Sequence, residues 1–199
     1  MTYPLEQMLS YKVMALIVLA VFYGVYYIKM LLQKKQGIKT NQIGSRKEKK
    51  LHTVELLMSV ATGGIVIVQL ASVVFEWSIM PANGRLTGFL IAMMGDIIFL
   101  VSVIKMKDSW RAGIPEKDST SLVTDGIYRF SRNPAFLGFD LMYTGMLLLY
   151  MNAATILFTA FAITMLHLQI LQEEKYLAGV FGNEYIEYKK HVFRYLGRR

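Results

Sequence analysis

Five long apolar stretches, at residues 14–32, 54–75, 86–104, 134–151 and 153–171, are separated by polar connections. A hydrocarbon core about 30 Å thick takes about 20 residues of helix to cross. Each stretch is close to that length, so the pattern predicts an all-α, polytopic membrane protein with five transmembrane helices. The fourth and fifth are separated by little more than Asn152, which predicts a tight antiparallel hairpin. Beyond residue 171 the fifth helix is expected to continue into the polar run Glu173, Glu174, Lys175. Asn183 is placed to cap a short last helix with Tyr185, Tyr188 and Val192 on its apolar face, suited to lie against the membrane or a neighbouring loop. The first stretch follows Leu5, Glu6 and Gln7 rather than basic residues, and no small-residue cleavage site comes after it, so it is expected to remain as a helix. Small residues recur within the apolar stretches, at Gly63 and Gly64, at Gly88, Ala92 and Gly95, and at Gly138 and Gly145. Helices in lipid approach closely through such positions. Gly138 is singled out as a place where a flat or bulky ligand can come close to the backbone.

Composition strengthens the membrane reading. Of 199 residues 54% are hydrophobic and the mean hydropathy is +0.39, too apolar for an ordinary soluble domain of this size. The net charge of +8 is not spread evenly. Seven of the 22 Lys and Arg lie between Lys34 and Lys50, six between Lys105 and Arg132, and six between Lys175 and Arg199. These are alternate connections, which places the N-terminus outside and the C-terminus in the cytosol. Topology and anionic lipid headgroups account for the basicity, and no nucleic acid is needed. The chain has no cysteine, which excludes disulfides, thiolate metal sites, a cysteine nucleophile and cysteine lipidation. No metal site is expected.

Candidate chemistry gathers in the second half. Residues 1–105 read as a frame of three helices. Residues 106–199 read as a cytosolic loop, a helical hairpin and a terminal amphipathic helix. Asp96 and Asp140 are acids inside apolar helices, where a charge costs about 3 kcal/mol and has to face protein or water. The segment from Lys107 to Asn133 is a long connection interrupted by Trp110, Arg111, Gly113, Pro115 and Gly126, and such loops are often functional. Asn133 and Pro134 form a helix start, with free backbone N–H groups at the cytosolic end ready for a carboxylate or phosphate. Since the hairpin turns near Asn152, positions 133 and 173 should lie side by side. Glu173 and Glu174 would then meet an amine or sulfonium, and Arg132 with the helix start a carboxylate. One amino-acid-like zwitterion fits both.

The runs TSLVTDGIY (Thr120 to Tyr128), SRNPAFLG (Ser131 to Gly138), Glu173-Glu174 and FGNEYIEYKK (Phe181 to Lys190) together resemble the isoprenylcysteine carboxyl methyltransferase family of membrane enzymes. The resemblance spans about the last 95 residues. It implies methyl transfer from S-adenosylmethionine to a lipophilic, membrane-dissolved or prenylated acceptor, with S-adenosylhomocysteine as product. By the match, Ser121, Leu122, Val123 and Tyr128 would line the adenosine. Asn133, Pro134, Ala135 and Phe136, with Leu137 and Gly138 adjoining, occupy the family's His-Pro motif and would hold the methionine end. Glu173 would meet the amino group, and Gly113 lies in a loop that approaches the cofactor. Asn133 replaces the family's usual histidine, so this position caps and donates a hydrogen bond but does not titrate. Gln169 stands where eukaryotic members carry an arginine associated with the substrate carboxylate. Arg132, Gln169 and Glu174 are taken as the catalytic set, with Arg132 and Gln169 orienting the acceptor.

The same residues leave other readings open. A phospholipid amine methyltransferase would share the cofactor signature, and an NADPH-dependent sterol reductase shares an Arg-His-Pro-like motif. A non-enzymatic membrane scaffold is the third. No motif speaks to oligomeric state.

Overall fold

A computed structural model describes residues 4–40, 49–111 and 121–199. Among the described residues six α-helices follow in order: α1 (Leu5–Lys35), α2 (Lys49–Val74), α3 (Ala82–Met106), α4 (Pro134–Leu149), α5 (Ala153–Phe181) and α6 (Asn183–His191). Short 3-10 turns at Lys107–Ser109 and Gly126–Arg129 lie between α3 and α4. The described residues contain one isolated bridge, Val192 with Arg198, and no sheet. The fold is all-α, and among the described residues four helices are long and apolar enough to cross a membrane: Leu5–Lys35, Thr53–Val74, Ala82–Ser109 and Ala153–Phe181. The remaining apolar helix, α4, has 16 residues. At 1.5 Å per residue it is about 24 Å long, shorter than a hydrocarbon core of about 30 Å.

The connection between α4 and α5 is as short as its sequence predicts, but the two helices do not pack tightly along their length. Each has a closer partner elsewhere, α4 on α3 and α5 on α2. Glycines explain the α3–α4 pairing. A Cβ at Gly95 would sit 2.6 Å from the Met142 nitrogen and 2.7 Å from the Gly138 carbonyl oxygen. One at Gly138 would sit 2.8 Å from the Phe99 Cβ. Backbone therefore meets backbone across this contact, as small residues allow in lipid. Gly138 is consequently a helix-packing residue, facing α3 rather than a ligand. On the other side of α3 and α4, the rings of Phe22, Phe99 and Phe139 pack within 4.6 to 5.1 Å of one another and bring α1 onto the pair. Because α4 is drawn to α3 and α5 to α2, space remains between them.

At the end remote from Asn133, the helices are fastened by polar groups. Asn152 caps α5 through a reciprocal pair of hydrogen bonds with Thr155, while its Nδ2 donates to Ser72 Oγ at 2.9 Å. Arg85 lies in the first turn of α3 and is buried. It pairs with Glu76 at 2.8 Å and lies between the rings of Tyr11 and Tyr150. The start of α6 also differs from expectation. Gly182, at φ 53°, is the capping position, and Asn183 is the first helical residue. Glycine adopts that backbone conformation without a Cβ penalty.

Candidate active site

The start of α4 is built by the chain just before it. Asn133 is the N-cap residue and Pro134 the first residue of the helix, whose missing N–H is lost at no cost there. Asn133 does not use its side chain to cap α4. Its Nδ2 donates instead to Glu174 Oε1 at 3.3 Å and to the Arg194 carbonyl at 3.2 Å. Helix geometry leaves the N–H groups of Ala135 and Phe136 without intrahelical acceptors. Both residues line a cavity of about 130 Å³ at this end of the molecule. Trp110, Val123, Tyr128 and Glu173 form other parts of its wall.

Glu174, read from sequence as catalytic, is a structural anchor. It lies on neither cavity wall among the described residues. Only 4% of its side chain is exposed, and its oxygens accept hydrogen bonds from Arg132 Nη2 at 2.9 Å and from Arg194 Nε and Nη2 at 3.0 Å each. These contacts occupy the carboxylate and hold the Arg194 guanidinium above its ordinary pKa. The segment carrying Arg194 also straps the loop before α4. Arg132 N donates to the Phe193 carbonyl at 3.1 Å and Gly197 N to the Phe130 carbonyl at 2.7 Å. From α6, the Tyr188 hydroxyl donates to the Tyr128 carbonyl at 2.6 Å. The last helix thus docks on the loop, one of its two expected resting places. Burial, reinforced by the neighbouring Tyr188 and Glu173, pushes the Tyr128 phenol far above its usual pKa, so it stays protonated and serves as a wall rather than a base. Burial does the same to Tyr188.

A second cavity, about 290 Å³, opens in the space between α4 and α5. It shares Trp110, Arg111, Ala135, Phe136 and Glu173 with the first. Gln169 lies on this second wall and donates from Nε2 to Glu173 Oε1 at 3.2 Å. Glu173 is therefore the acid at the junction, where the hairpin places it near Asn133.

The sequence-predicted residues divide accordingly. Ser121, Leu122, Val123, Tyr128, Arg132, Asn133, Ala135, Phe136 and Glu173 gather around the first cavity, and Gln169 lies in the second. Arg132 does not reach the second cavity, where it was expected to orient an acceptor with Gln169, because its guanidinium is held by Glu174 and by the Lys189 carbonyl. Pro134, Leu137 and Gly138 are on neither wall. Pro134 starts the helix and Gly138 packs on α3. Gly113 lies outside the described residues. Asp96 and Asp140 also miss both walls.

Trp110 and Arg111, named from sequence only as breaks in the loop, lie at the junction, and Tyr185 and Tyr188, read only as the apolar face of the last helix, line the first cavity together with Tyr176. The first helices, read from sequence as frame, contribute as well: Tyr23, Tyr26 and Tyr27 from α1 and Ser59, Thr62 and Gly63 from α2 line the second cavity. The spacing of the three tyrosines places them on nearby parts of one helix face, which was the available signal.

Residues 87–179 match the model of the isoprenylcysteine carboxyl methyltransferase (ICMT) family. Among curated proteins, the protein-S-isoprenylcysteine O-methyltransferase of Schizosaccharomyces pombe is 39% identical over 72 residues, 36% of this chain and 30% of that protein. The enzyme of the same name from Saccharomyces cerevisiae is 30% identical over 122 residues, 60% of this chain and 51% of that protein. A probable protein-S-isoprenylcysteine O-methyltransferase of Oryza sativa subsp. indica is 30% identical over 108 residues, 53% and 56% of the two chains. The aligned part thus spans about half or less of each relative. The family match covers α4, most of α3 and α5, and both ends of the loop that frames the first cavity. Over these residues the chain is similar to the isoprenylcysteine carboxyl methyltransferase family.

Proposed function

We propose that the chain is an integral membrane methyltransferase that uses S-adenosylmethionine to methylate a lipophilic acceptor, carboxyl methylation of a prenylated thioether being the reaction its relatives' names indicate. The observation that carries this reading is the shared wall of the two cavities, with Glu173 at the junction. One cavity meets the N-terminus of α4, and the other lies among apolar helices. A water-soluble donor and a membrane-dissolved acceptor can therefore approach through different openings and meet at one partition. In this reading α4 crosses as a short fifth span, and the basic connections lie in the cytosol together with the first cavity.

The residues around the first cavity suit an amino-acid zwitterion. The N–H groups of Ala135 and Phe136 offer hydrogen bonds to a carboxylate at the positive end of the helix dipole. Glu173 offers the countercharge for an ammonium group. When bound, S-adenosylmethionine supplies an electrophilic methyl on its sulfonium. The protein's part is then to orient that methyl across the partition and to exclude water, which accelerates transfer to an already ionised nucleophile without a protein base. Trp110, Phe136 and Tyr128 provide the apolar enclosure.

Calorimetric titration of the protein in nanodiscs with S-adenosylhomocysteine tests the proposal. Saturable binding is expected, and Glu173→Ala weakens it roughly tenfold or more, the effect of losing one charge-assisted hydrogen bond. Absence of binding, or affinity unchanged by the substitution, would overturn the assignment.

A further inference from the structure

Residues 192–199, which follow α6, fold back as a tight turn whose outer face is apolar and basic. Val192 bridges to Arg198, and Phe193 N donates to the Gly197 carbonyl at 3.0 Å. Gly197, at φ 122°, lies so close to the Phe193 ring that a Cβ there would be 2.6 Å from it. Phe193, Leu196 and Phe130 are exposed, Leu196 to 71%. Because the Phe130 carbonyl accepts from Gly197 N, the three apolar side chains rise from one connected piece of backbone. Arg198 and Arg199 are exposed beside them and enter no ion pair among the described residues. The Arg199 guanidinium lies 5.1 Å from the centre of the Phe193 ring. Exposed apolar side chains gathered in this way and edged by cations mark an interaction surface.

Tyr195 decides what that surface meets. Its ring stacks on His167 of α5, and its hydroxyl is 2.6 Å from His167 Nδ1. His167 precedes Glu173 by about 9 Å of helix, on the side toward Asn152. Leu168 and Leu171, close to it along α5, are exposed. The turn therefore lies alongside α5 at a level where the helix presents leucines outward. With α5 crossing the bilayer and Glu173 at its cytosolic end, this level is where acyl chains give way to headgroups. Apolar side chains there enter the acyl region while guanidinium groups reach the phosphates, which matches an anionic leaflet. Arg194, on the same turn, points the other way, to Glu174.

We propose that the turn at 192–199, with Phe130, docks on the anionic lipid surface of the cytosolic leaflet and that this contact steadies the first cavity. The inference rests on the reading in which α5 spans the bilayer and the first cavity takes S-adenosylmethionine. The link between surface and cavity is direct. Arg132 N donates to the Phe193 carbonyl and Asn133 Nδ2 to the Arg194 carbonyl, so the turn holds both residues that precede Pro134. Fixing the turn on the membrane fixes the start of α4, whose Ala135 and Phe136 line the cavity.

The test has two arms. The chain has no cysteine, so Leu196→Cys takes a single nitroxide label. In nanodiscs with about 30 mol % phosphatidylglycerol the label is expected to collide with oxygen in preference to a water-soluble nickel chelate. The opposite preference would overturn the docking. S-adenosylhomocysteine is then titrated calorimetrically into the unlabelled protein in the same discs and in phosphatidylcholine discs. Binding about fivefold tighter in the anionic discs is expected, the effect of about one basic residue at a charged surface. Arg198→Gln combined with Arg199→Gln brings that ratio to about one, and affinity in phosphatidylcholine stays within about twofold of the parent, because neither arginine reaches the cavity. Equal affinities of the parent in the two lipids, or a lipid dependence that survives the double substitution, would overturn the proposal. Absence of binding in both lipids would overturn the coupling together with the cofactor reading, while the nitroxide still decides the docking.

Discussion

Replacing Glu174 with glutamine keeps the side chain's size but removes the charge on which two guanidinium groups converge. Arg132 is only 6% exposed in its side chain and sits 2.9 Å from the carboxylate; Arg194, 33% exposed, reaches it with two hydrogen bonds of 3.0 Å. Breaking a buried ion pair by removing one partner typically costs about 3–5 kcal/mol, because the remaining charge loses compensation. The partial exposure of Arg194 lets water compensate part of that loss, so about 2–4 kcal/mol is expected for Glu174→Gln. Arg194→Met removes the more exposed partner while leaving Arg132 and Asn133 on the carboxylate, and about 1–2 kcal/mol is expected. If the contact couples the two residues, the double variant is less destabilised than the sum, with an interaction energy of about 1–2 kcal/mol. Reversible unfolding in mixed micelles, followed for wild type, both single variants and the double variant, measures this cycle. Cofactor affinity should fall with stability, since Arg132 and Asn133 belong to the first cavity. Additive stability effects would show that the Glu174–Arg194 contact carries no energy. An unchanged affinity for S-adenosylhomocysteine in Glu174→Gln would show that the anchor does not position the cavity wall.

Two further substitutions probe the frame. Gly95→Val forces a side chain into the α3–α4 backbone contact, where even a Cβ would lie 2.6 Å from the Met142 nitrogen. A loss of about 1–3 kcal/mol is expected from overpacking, read as an earlier thermal transition by size-exclusion chromatography, and stability within about 0.5 kcal/mol of wild type would refute the close contact. Arg85→Met removes the partner of Glu76 and the cation between Tyr11 and Tyr150, at the end of the bundle remote from both cavities. It should cost about 3 kcal/mol of stability while leaving the affinity of the folded fraction for S-adenosylhomocysteine unchanged, and a parallel loss of affinity would contradict that separation.

Much was legible from the chain alone because it depends on local pattern. Runs of apolar residues about one bilayer thickness long have few alternatives to helix, since a backbone in lipid has to satisfy its own hydrogen bonds. Asn133-Pro134 marks a helix start, and Asn152 a turn, through the backbone chemistry of those residue types. Given that turn, elementary helix geometry brings positions 133 and 173 to the same end. Which face each residue presents is a different matter. Glu173 and Glu174 are adjacent in sequence, but about 100° of helix rotation separates them, so one reaches the cavities and the other is taken by Arg132 and Arg194. Gly138 looks like room for a ligand until α3 is seen to fill that room. The second cavity depends on four helices at once and exists because α4 and α5 pack on different partners. Apolar periodicity thus determined the helices and the motif spacing determined the working end. Helix–helix packing, through long-range contacts that no local pattern encodes, decided which side chains line the cavities.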